Sequence, residues 1–257
     1  MKNLYHLGRI FFAFVLIEMG GQMIWCKSYP YMLLPTQYGL PWLAYVLGII
    51  FIAGGVCLAF QLKTRAAGLL LGLLFLLIFV FYWIPYELFY SSNYKQIGDW
   101  ENSAKELAFA GGGFAIAGYY AARSENGFLR FLSKLIPAGD FLYALPIIYF
   151  GILHFVFAKE SVSYIPAWIP VHLFWMYFCG VALIGGGLSI ILKIKQTLFV
   201  TLLGSMMLIW FLILHMPRVI VAAPTDMASE ITSAVLALAY SGIAFAIAGK
   251  AANKIRA

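Results

Sequence analysis

The sequence predicts an all-α integral membrane protein, with eight transmembrane helices in two tandem four-helix bundles related by a pseudo-two-fold axis along the membrane normal. Composition is the first reason. Apolar residues make up 63% of the chain and charged residues 11%, whereas a soluble domain carries about a quarter charged residues. The second reason is a series of apolar runs of membrane-spanning length, and the third is a similarity of the chain to itself at a constant offset. The lipid bilayer is therefore the first partner that the sequence predicts.

Eight apolar runs have about the length that a bilayer requires of a helix. The first follows Lys2 and Arg9 as a signal peptide would, but Glu18 and Gln22 interrupt it and no small-residue cleavage site follows. We therefore predict a mature helix there. The runs lie at Ile10–Trp25, Trp42–Phe60, Ala66–Ile84, Leu107–Ala122, Phe141–Ala158, Leu173–Leu192, Leu198–Met216 and Ile231–Ala248.

The chain resembles itself at an offset of 131 positions. Phe114–Gly118 and Phe245–Gly249 have the same sequence, Phe-Ala-Ile-Ala-Gly, and the same shift places Gly54 on Gly185. Four runs fall in each copy, and an even number gives both copies the same orientation. The predicted units are residues 1–122, a connector at 123–138, and residues 139–257.

Charge predicts the orientation. Most basic residues lie at one set of helix ends, which the positive-inside rule assigns to the cytoplasm together with both termini. Most acids lie at the other set, in loops assigned to the opposite compartment. The net charge of +7 is then a topology signal, with no basic domain to suggest nucleic-acid binding. The basic set is Lys2, Arg9, Lys63, Arg65, Arg123, Arg130, Lys134, Lys193, Lys195, Lys250, Lys254 and Arg256.

Three short motifs carry a family resemblance: His154-Phe155, Pro166–Pro170 (Pro-Ala-Trp-Ile-Pro) and His215–Arg218 (His-Met-Pro-Arg). With the glycine pair in the second helix of each copy, they resemble a double-length DoxX-like membrane protein. The resemblance implies the tandem four-helix fold, a place in the bacterial inner membrane, and a redox-linked role. One family member is a small subunit associated with thiosulfate:quinone oxidoreductase, although no residue here indicates thiosulfate as substrate.

Candidate site residues are those in which the two copies differ. At the shared offset, His154 takes the place of Met23, His172 of Pro41, His215 of Ile84 and Arg218 of Glu87. All four fall at the outer helix ends of the second copy. For His172 and Arg218 the alternative is contact with lipid headgroups, and for His154 and His215 it is a hydrogen bond to a neighbouring helix.

Glu18 is the candidate of the first copy, with Gln22 one turn away on the same face. An ionised carboxylate at the bilayer centre costs about 2.5–3.5 kcal/mol, so an acid there is by default a site hypothesis. The alternative is a structural hydrogen bond to a facing helix.

Two function classes follow. In the first, a redox-linked subunit binds a quinone or similar amphipathic molecule in the outer leaflet, and a redox partner subunit completes the reaction. Trp168, Trp175 and Trp210 would hold the ring, His154 or His215 would bond its carbonyl, and Arg218 would tune a histidine or hold an anion. Glu18 would exchange protons. The second class is a transporter, or a non-catalytic scaffold, with Glu18 as the coupling site.

Metal and haem are the less favoured cofactors. Neutral imidazole would suit zinc or copper, but the histidines are scattered over three predicted spans with no short ligand spacing. The three cysteines include no Cys-x-x-Cys pair, which argues against a disulfide exchanger.

Overall fold

The computed structural model describes residues 2–30, 41–121 and 126–254, and the regular structure within them is helical, without strands. Arg123 and Arg256, two of the predicted cytoplasmic basic residues, lie outside these ranges. The long helices are α1 (Lys2–Cys26), α2 (Pro41–Ala59), α3 (Thr64–Phe89), α4 (Glu101–Ala117), α5 (Gly127–Val156), α6 (His172–Leu192), α7 (Gln196–Val221) and α8 (Met227–Lys254).

Seven of these helices, all except α4, are long and apolar enough to cross a membrane by the length and composition of the described residues. The chain is thus an all-helical integral membrane protein. The fourth span was predicted at Leu107–Ala122, but α4 has 17 residues and begins at Glu101. Its first two turns also carry Lys105 and Glu106, so its apolar part is shorter than a bilayer-spanning helix.

Helix α5 begins earlier than the predicted span at Phe141. It is helical from Gly127, with one 3₁₀ turn at Ser133–Leu135, and therefore includes most of the predicted connector at 123–138. The Asn126 side chain accepts a hydrogen bond from the Leu129 N–H and caps the start of the helix.

Each helix packs against the next one along the chain, and α8 returns to α1, so the bundle closes on itself. Helices α4 and α8 also contact each other across the middle. The bundle is antiparallel at the closure: Tyr5 near the start of α1 contacts Gly249 near the end of α8, and Gln22 contacts Ala228. The outward side of α6 and α7 carries exposed apolar residues such as Phe174, Val181 and Leu202, as expected for a surface in lipid.

Two helices contain a π-helical turn. In α3 the turn is Phe79–Trp83 and in α7 it is Phe211–His215, each followed two residues later by a proline, Pro85 or Pro217. A proline lacks the N–H of a regular helical hydrogen bond, so a change of register just before it is favourable. A π turn leaves the apolar run of the sequence unbroken, so hydropathy alone does not reveal these interruptions.

The π turns also correct one pairing between the halves. Both turns end at comparable places, at Trp83 and at His215. Helices α3 and α7 begin 132 residues apart, at Thr64 and Gln196, and their π turns are also 132 residues apart. When the two helices are aligned, His215 therefore stands opposite Trp83 and not Ile84. Trp83 is buried, whereas His215 is only partly buried.

Several basic residues at the termini-bearing end bind helix ends. Arg9 donates to the carbonyl oxygens of Leu58 and Ala59 at the end of α2. Arg65 donates to those of Ala117, the last residue of α4, and Tyr120 just beyond it. These carbonyls lie past the last regular helical hydrogen bonds and at the negative end of the helix dipole, so a guanidinium stabilises them.

Candidate functional site

A polar cavity of about 700 Å³ lies between α5, α6, α7 and α8, with the first turns of α4 closing one side. It occupies the end of the bundle opposite both chain termini. Five of the nine residues predicted for the site line it: His154, Trp175, Trp210, His215 and Arg218. Other polar lining residues are Glu101, Lys105, Ser161, Tyr164, Ser229, Glu230, Ser233 and Tyr240.

His154 lies in the last turn of α5 and is half-buried. Its Nδ1 lies 2.8 Å from the carbonyl oxygen of Phe150, one turn earlier. A carbonyl can only accept, so Nδ1 carries the proton in the neutral ring and Nε2 is left as an acceptor. His154 is thus suited to accept a hydrogen bond from a hydroxyl group in the cavity.

His215 ends the π turn of α7. Its Nδ1 is buried and has no hydrogen-bond partner among the described residues. The π turn explains why it reaches the cavity. Residues five apart, such as Trp210 and His215, lie about 140° apart around an α-helix but much closer to the same face in a π-helix. The turn therefore brings Trp210 and His215 to the same wall.

Arg218 and Glu230 form a two-pronged ion pair between α7 and α8 at the rim of the cavity. Arg218 Nε lies 2.9 Å from Glu230 Oε2, and Nη2 lies 2.5 Å from Oε1. The guanidinium also stacks over the ring of Tyr164, at 4.7 Å from its centroid. Arg218 was predicted to tune a histidine or hold an anion. The carboxylate of Glu230 already occupies its paired donors, so a ligand anion would have to compete with Glu230.

Trp175 and Trp210 separate the polar cavity from a second space, the apolar cleft. This cleft has a volume of about 790 Å³ and is lined by both tryptophans together with Trp168, Phe178 and Ile209, among others. The two indole rings meet edge to face with centroids 6.2 Å apart. Trp168 lines the cleft and not the cavity.

Both separating indoles have their N–H groups engaged. Trp175 Nε1 donates to the carbonyl oxygen of Pro170 at 3.1 Å, and Trp210 Nε1 donates to Cys179 Sγ at 3.0 Å. The rings are therefore held in place and offer apolar surface to both spaces.

Three predicted site residues lie outside both spaces: Glu18, Gln22 and His172. Gln22 Nε2 donates to the carbonyl oxygen of Ala228, 2.7 Å away, and its Oε1 accepts from Thr232 Oγ1 at 2.9 Å. Gln22 therefore connects α1 to α8. Glu18 is half-buried on α1, and its Oε2 has no hydrogen-bond partner within the described part of the chain.

Sequence reasoning missed the polar residues of α4 and α8. Glu101, Glu106 and Glu230 had entered only as acids of the outer loops, and Tyr240 as part of an apolar run. The missed signal is Glu106, which directly precedes the apolar residues from Leu107 onwards. When the helix begins at Glu101, Glu106 lies inside it and counts, like Glu18, as an acid within a membrane-embedded helix and hence as a candidate functional residue.

The arrangement of possible ligand side chains bears on metal binding. Among the residues that the structure describes, no three His, Cys, Asp or Glu side chains are grouped so that they could hold one metal ion. No protein-family model, curated protein or solved structure matches the chain. The assignment of a function therefore depends on the cavity and on the chemistry of its walls.

Proposed function

We propose that this chain is a DoxX-like membrane protein whose polar cavity binds a quinone or a similar amphipathic molecule, as a redox-linked subunit. One observation carries the proposal. A cavity with two histidines adjoins an apolar, outward-facing cleft, and the two spaces share Trp175 and Trp210. A ligand with a polar ring and an apolar tail matches this arrangement, because its ring can enter the cavity while its tail lies in the cleft.

The proposed architecture is two four-helix units, α1–α4 and α5–α8, related by a pseudo-two-fold axis. The packing of α4 on α5 matches that of α8 on α1, and each unit has its π turn in the third helix. These parallels support the duplication inferred from the offset of 131. We place both termini in the cytoplasm of a bacterium and the cavity in the outer leaflet, because basic residues concentrate at the termini-bearing end.

The two histidines suit the two ends of quinone chemistry. Reduction of a quinone to a quinol takes up two electrons and two protons. His215 lines the cavity, so its imidazole can donate to a quinone carbonyl, and His154 Nε2 can accept from a quinol hydroxyl. In this proposal the electrons come from a redox partner protein, and the chain supplies the binding site and the proton-exchanging groups.

The test is quinone binding to the purified protein in mild detergent. Decylubiquinone should quench the fluorescence of Trp175 and Trp210, which line the site. Replacing His215 with Ala should weaken binding about tenfold, since one hydrogen bond contributes about 1 kcal/mol and its partner is left unpaired. His172→Ala is the matched control, because His172 lies outside both spaces. Equal affinities in the two variants would contradict the proposal.

Transport is the second candidate function, favoured by one observation. Helices α3 and α7 are both interrupted by a π turn and a proline, as discontinuous helices of transporters are. Reconstitution of the purified protein into liposomes distinguishes a transporter from a redox-linked subunit. A transporter moves substrate across a membrane without a bound quinone, whereas a redox-linked subunit carries quinone and moves nothing by itself.

A further inference from the structure

Glu106 is a buried carboxyl group on α4, behind the polar cavity. Only 1% of the residue is exposed, and neither carboxyl oxygen has a hydrogen-bond partner within the described ranges. The adjacent Lys105 is engaged elsewhere: its Nζ lies 2.8 Å from Glu101 Oε1 and 2.8 Å from Asn102 Oδ1. An ionised carboxylate without hydrogen-bond donors is costly in the interior of a protein. Since Glu106 makes no hydrogen bond that would explain its presence there as structural, a functional role is the better explanation.

Tyr240 on α8 lines the polar cavity and packs against α4. Its hydroxyl is buried and has no partner among the described residues. Its ring packs edge to face on Phe109, one turn along α4 from Glu106, with centroids 6.1 Å apart. Glu101 and Glu106 are both within electrostatic range of Tyr240. Two buried polar groups without hydrogen-bond partners thus stand on contacting helices, near enough to interact electrostatically.

We propose that Glu106 is a proton-binding site and that Tyr240 passes protons between Glu106 and the polar cavity. Neither Glu106 oxygen is hydrogen-bonded to the Tyr240 hydroxyl in the structure, so one water molecule between them carries the last step. In the loading step, a hydronium ion in the cavity gives a proton to the Tyr240 oxygen, the Tyr240 hydroxyl releases its own proton to that water molecule, and the water molecule passes a proton to Glu106. The hydronium ion becomes water, the Glu106 carboxylate becomes a carboxylic acid, and Tyr240 ends unchanged. No electrons move, and the reverse sequence unloads the site.

The site is distinct from the other ionisable groups of this region. Glu101 is paired with Lys105, whereas Glu106 has no cation beside it in the described residues. Titratable groups on the surrounding elements include Tyr82, Tyr86 and Glu87 on α3, Asp99 just before α4, Glu101 and Lys105 on α4, Tyr143, Tyr149 and His154 on α5, and Glu230 and Tyr240 on α8.

One consequence rests on the proposed function. A quinone in the cavity would displace water near Tyr240 and lower the local polarity, which favours the neutral form of Glu106. Quinone binding would then take up a proton, and affinity for decylubiquinone would fall as pH rises. Glu106→Gln would remove this pH dependence.

Infrared spectroscopy of the purified protein tests the site without any ligand. As pH is lowered, the wild type should develop a carbonyl band at high frequency, which marks a protonated carboxyl group without hydrogen bonds and lies apart from the band of the exposed acids. Glu106→Gln should lose this band, and the matched control Glu87→Gln, which changes another buried carboxyl, should keep it. Absence of the band in the wild type, or its survival in Glu106→Gln, would overturn the proposal.

Tyr240→Phe tests whether protons reach Glu106 through Tyr240. This variant leaves Glu106 in place, so it tests the proposal even if Glu106→Gln fails to fold. The phenylalanine keeps the ring and removes the hydroxyl. Deuterium exchange of the Glu106 carboxyl should slow by about tenfold or more, as expected when one hydrogen-bonded step is lost. An unchanged exchange rate would refute the role of Tyr240. If decylubiquinone does not quench the fluorescence but the carboxyl band of Glu106 is present, only the proposed quinone site is refuted. If decylubiquinone quenches the fluorescence but the carboxyl band is absent, only the proton site is refuted.

Discussion

At the scale of single residues, the Arg218–Glu230 pair shows what half-burial does to an ion pair. The Arg218 side chain is 33% exposed and that of Glu230 is 18% exposed, so water solvates each charge only in part. Both prongs of the guanidinium are used, and the ring of Tyr164 covers one face. The pair holds the end of α7 against the start of α8 and so keeps the mouth of the cavity in shape.

Removing either partner should therefore destabilise the protein more than removing an ordinary surface charge. We expect Arg218→Ala and Glu230→Ala each to lower the free energy of unfolding by about 2 kcal/mol, because the remaining charge loses its hydrogen bonds. The double variant should lose less than the sum of the two. Unfolding in increasing denaturing detergent measures this. Lys159→Ala, which removes an exposed charge, is the control and should change stability by less than about 0.5 kcal/mol.

Glu18 and Glu106 show which residue-scale inferences a sequence supports. Glu18 interrupts an apolar run, so it is visible as an intramembrane acid. Glu106 precedes one, so it was assigned to a loop. The fold buries Glu106 on α4, within electrostatic range of the cavity-lining Tyr240, whereas Glu18 lies on α1 away from the cavity lining. Which acid comes close to the cavity-lining residues depends on where α4 begins and on which helices surround it, and neither is decided by local sequence.

At the scale of helices, close approach depends on glycine. Helices α1 and α8 cross at Gly8 and Gly242. A Cβ atom added to Gly8 would lie 2.3 Å from the carbonyl oxygen of Gly242 and 2.5 Å from the backbone nitrogen of Ala246. Backbone atoms cannot move aside as a flexible side chain can, so any side chain at Gly8 must push the two helices apart.

Gly8→Ala should accordingly lower the free energy of unfolding by about 1–3 kcal/mol, as overpacking does elsewhere. Gly21→Ala is a control on the same helix. A Cβ atom there meets nothing within 4 Å, so the better helix propensity of alanine should raise stability by up to about 1 kcal/mol. The same detergent unfolding assay compares them. If both variants shift in the same direction, the crossing at Gly8 is not as close as the structure has it.

The π turns act at the same scale. In α7 the turn directs Trp210 and His215 to one wall, and in α3 the corresponding turn ends at the buried Trp83. The same kind of turn thus ends at a cavity-lining histidine in one helix and at a buried tryptophan in the other. The proline in each helix is visible in the sequence, but the direction in which the side chains point after a π turn depends on packing.

At the scale of the whole molecule, the distribution of charge makes a prediction about orientation. Cys26 is exposed at the end of the bundle that we place outside the cytoplasm, and Asn253 is exposed near the opposite end. In a background without Cys57 and Cys179, a membrane-impermeant maleimide added to intact spheroplasts should label Cys26. An Asn253→Cys variant lacking Cys26 should be labelled only after permeabilisation. The opposite pattern would reverse the proposed topology.

The sequence by itself determined the all-helical membrane class, the approximate positions of seven spans, and the type of residue from which a site is built. These properties follow from composition and from the length of apolar runs, which each segment carries alone. The sequence predicts that His154, His172, His215 and Arg218 converge, because they share the same set of helix ends. His154, His215 and Arg218 line one cavity, and His172 lies outside it. Only the tertiary structure decided that Glu101 and Tyr240 join them and that Glu106 is buried on α4, because α4 and α8 approach this cavity through contacts between distant parts of the chain.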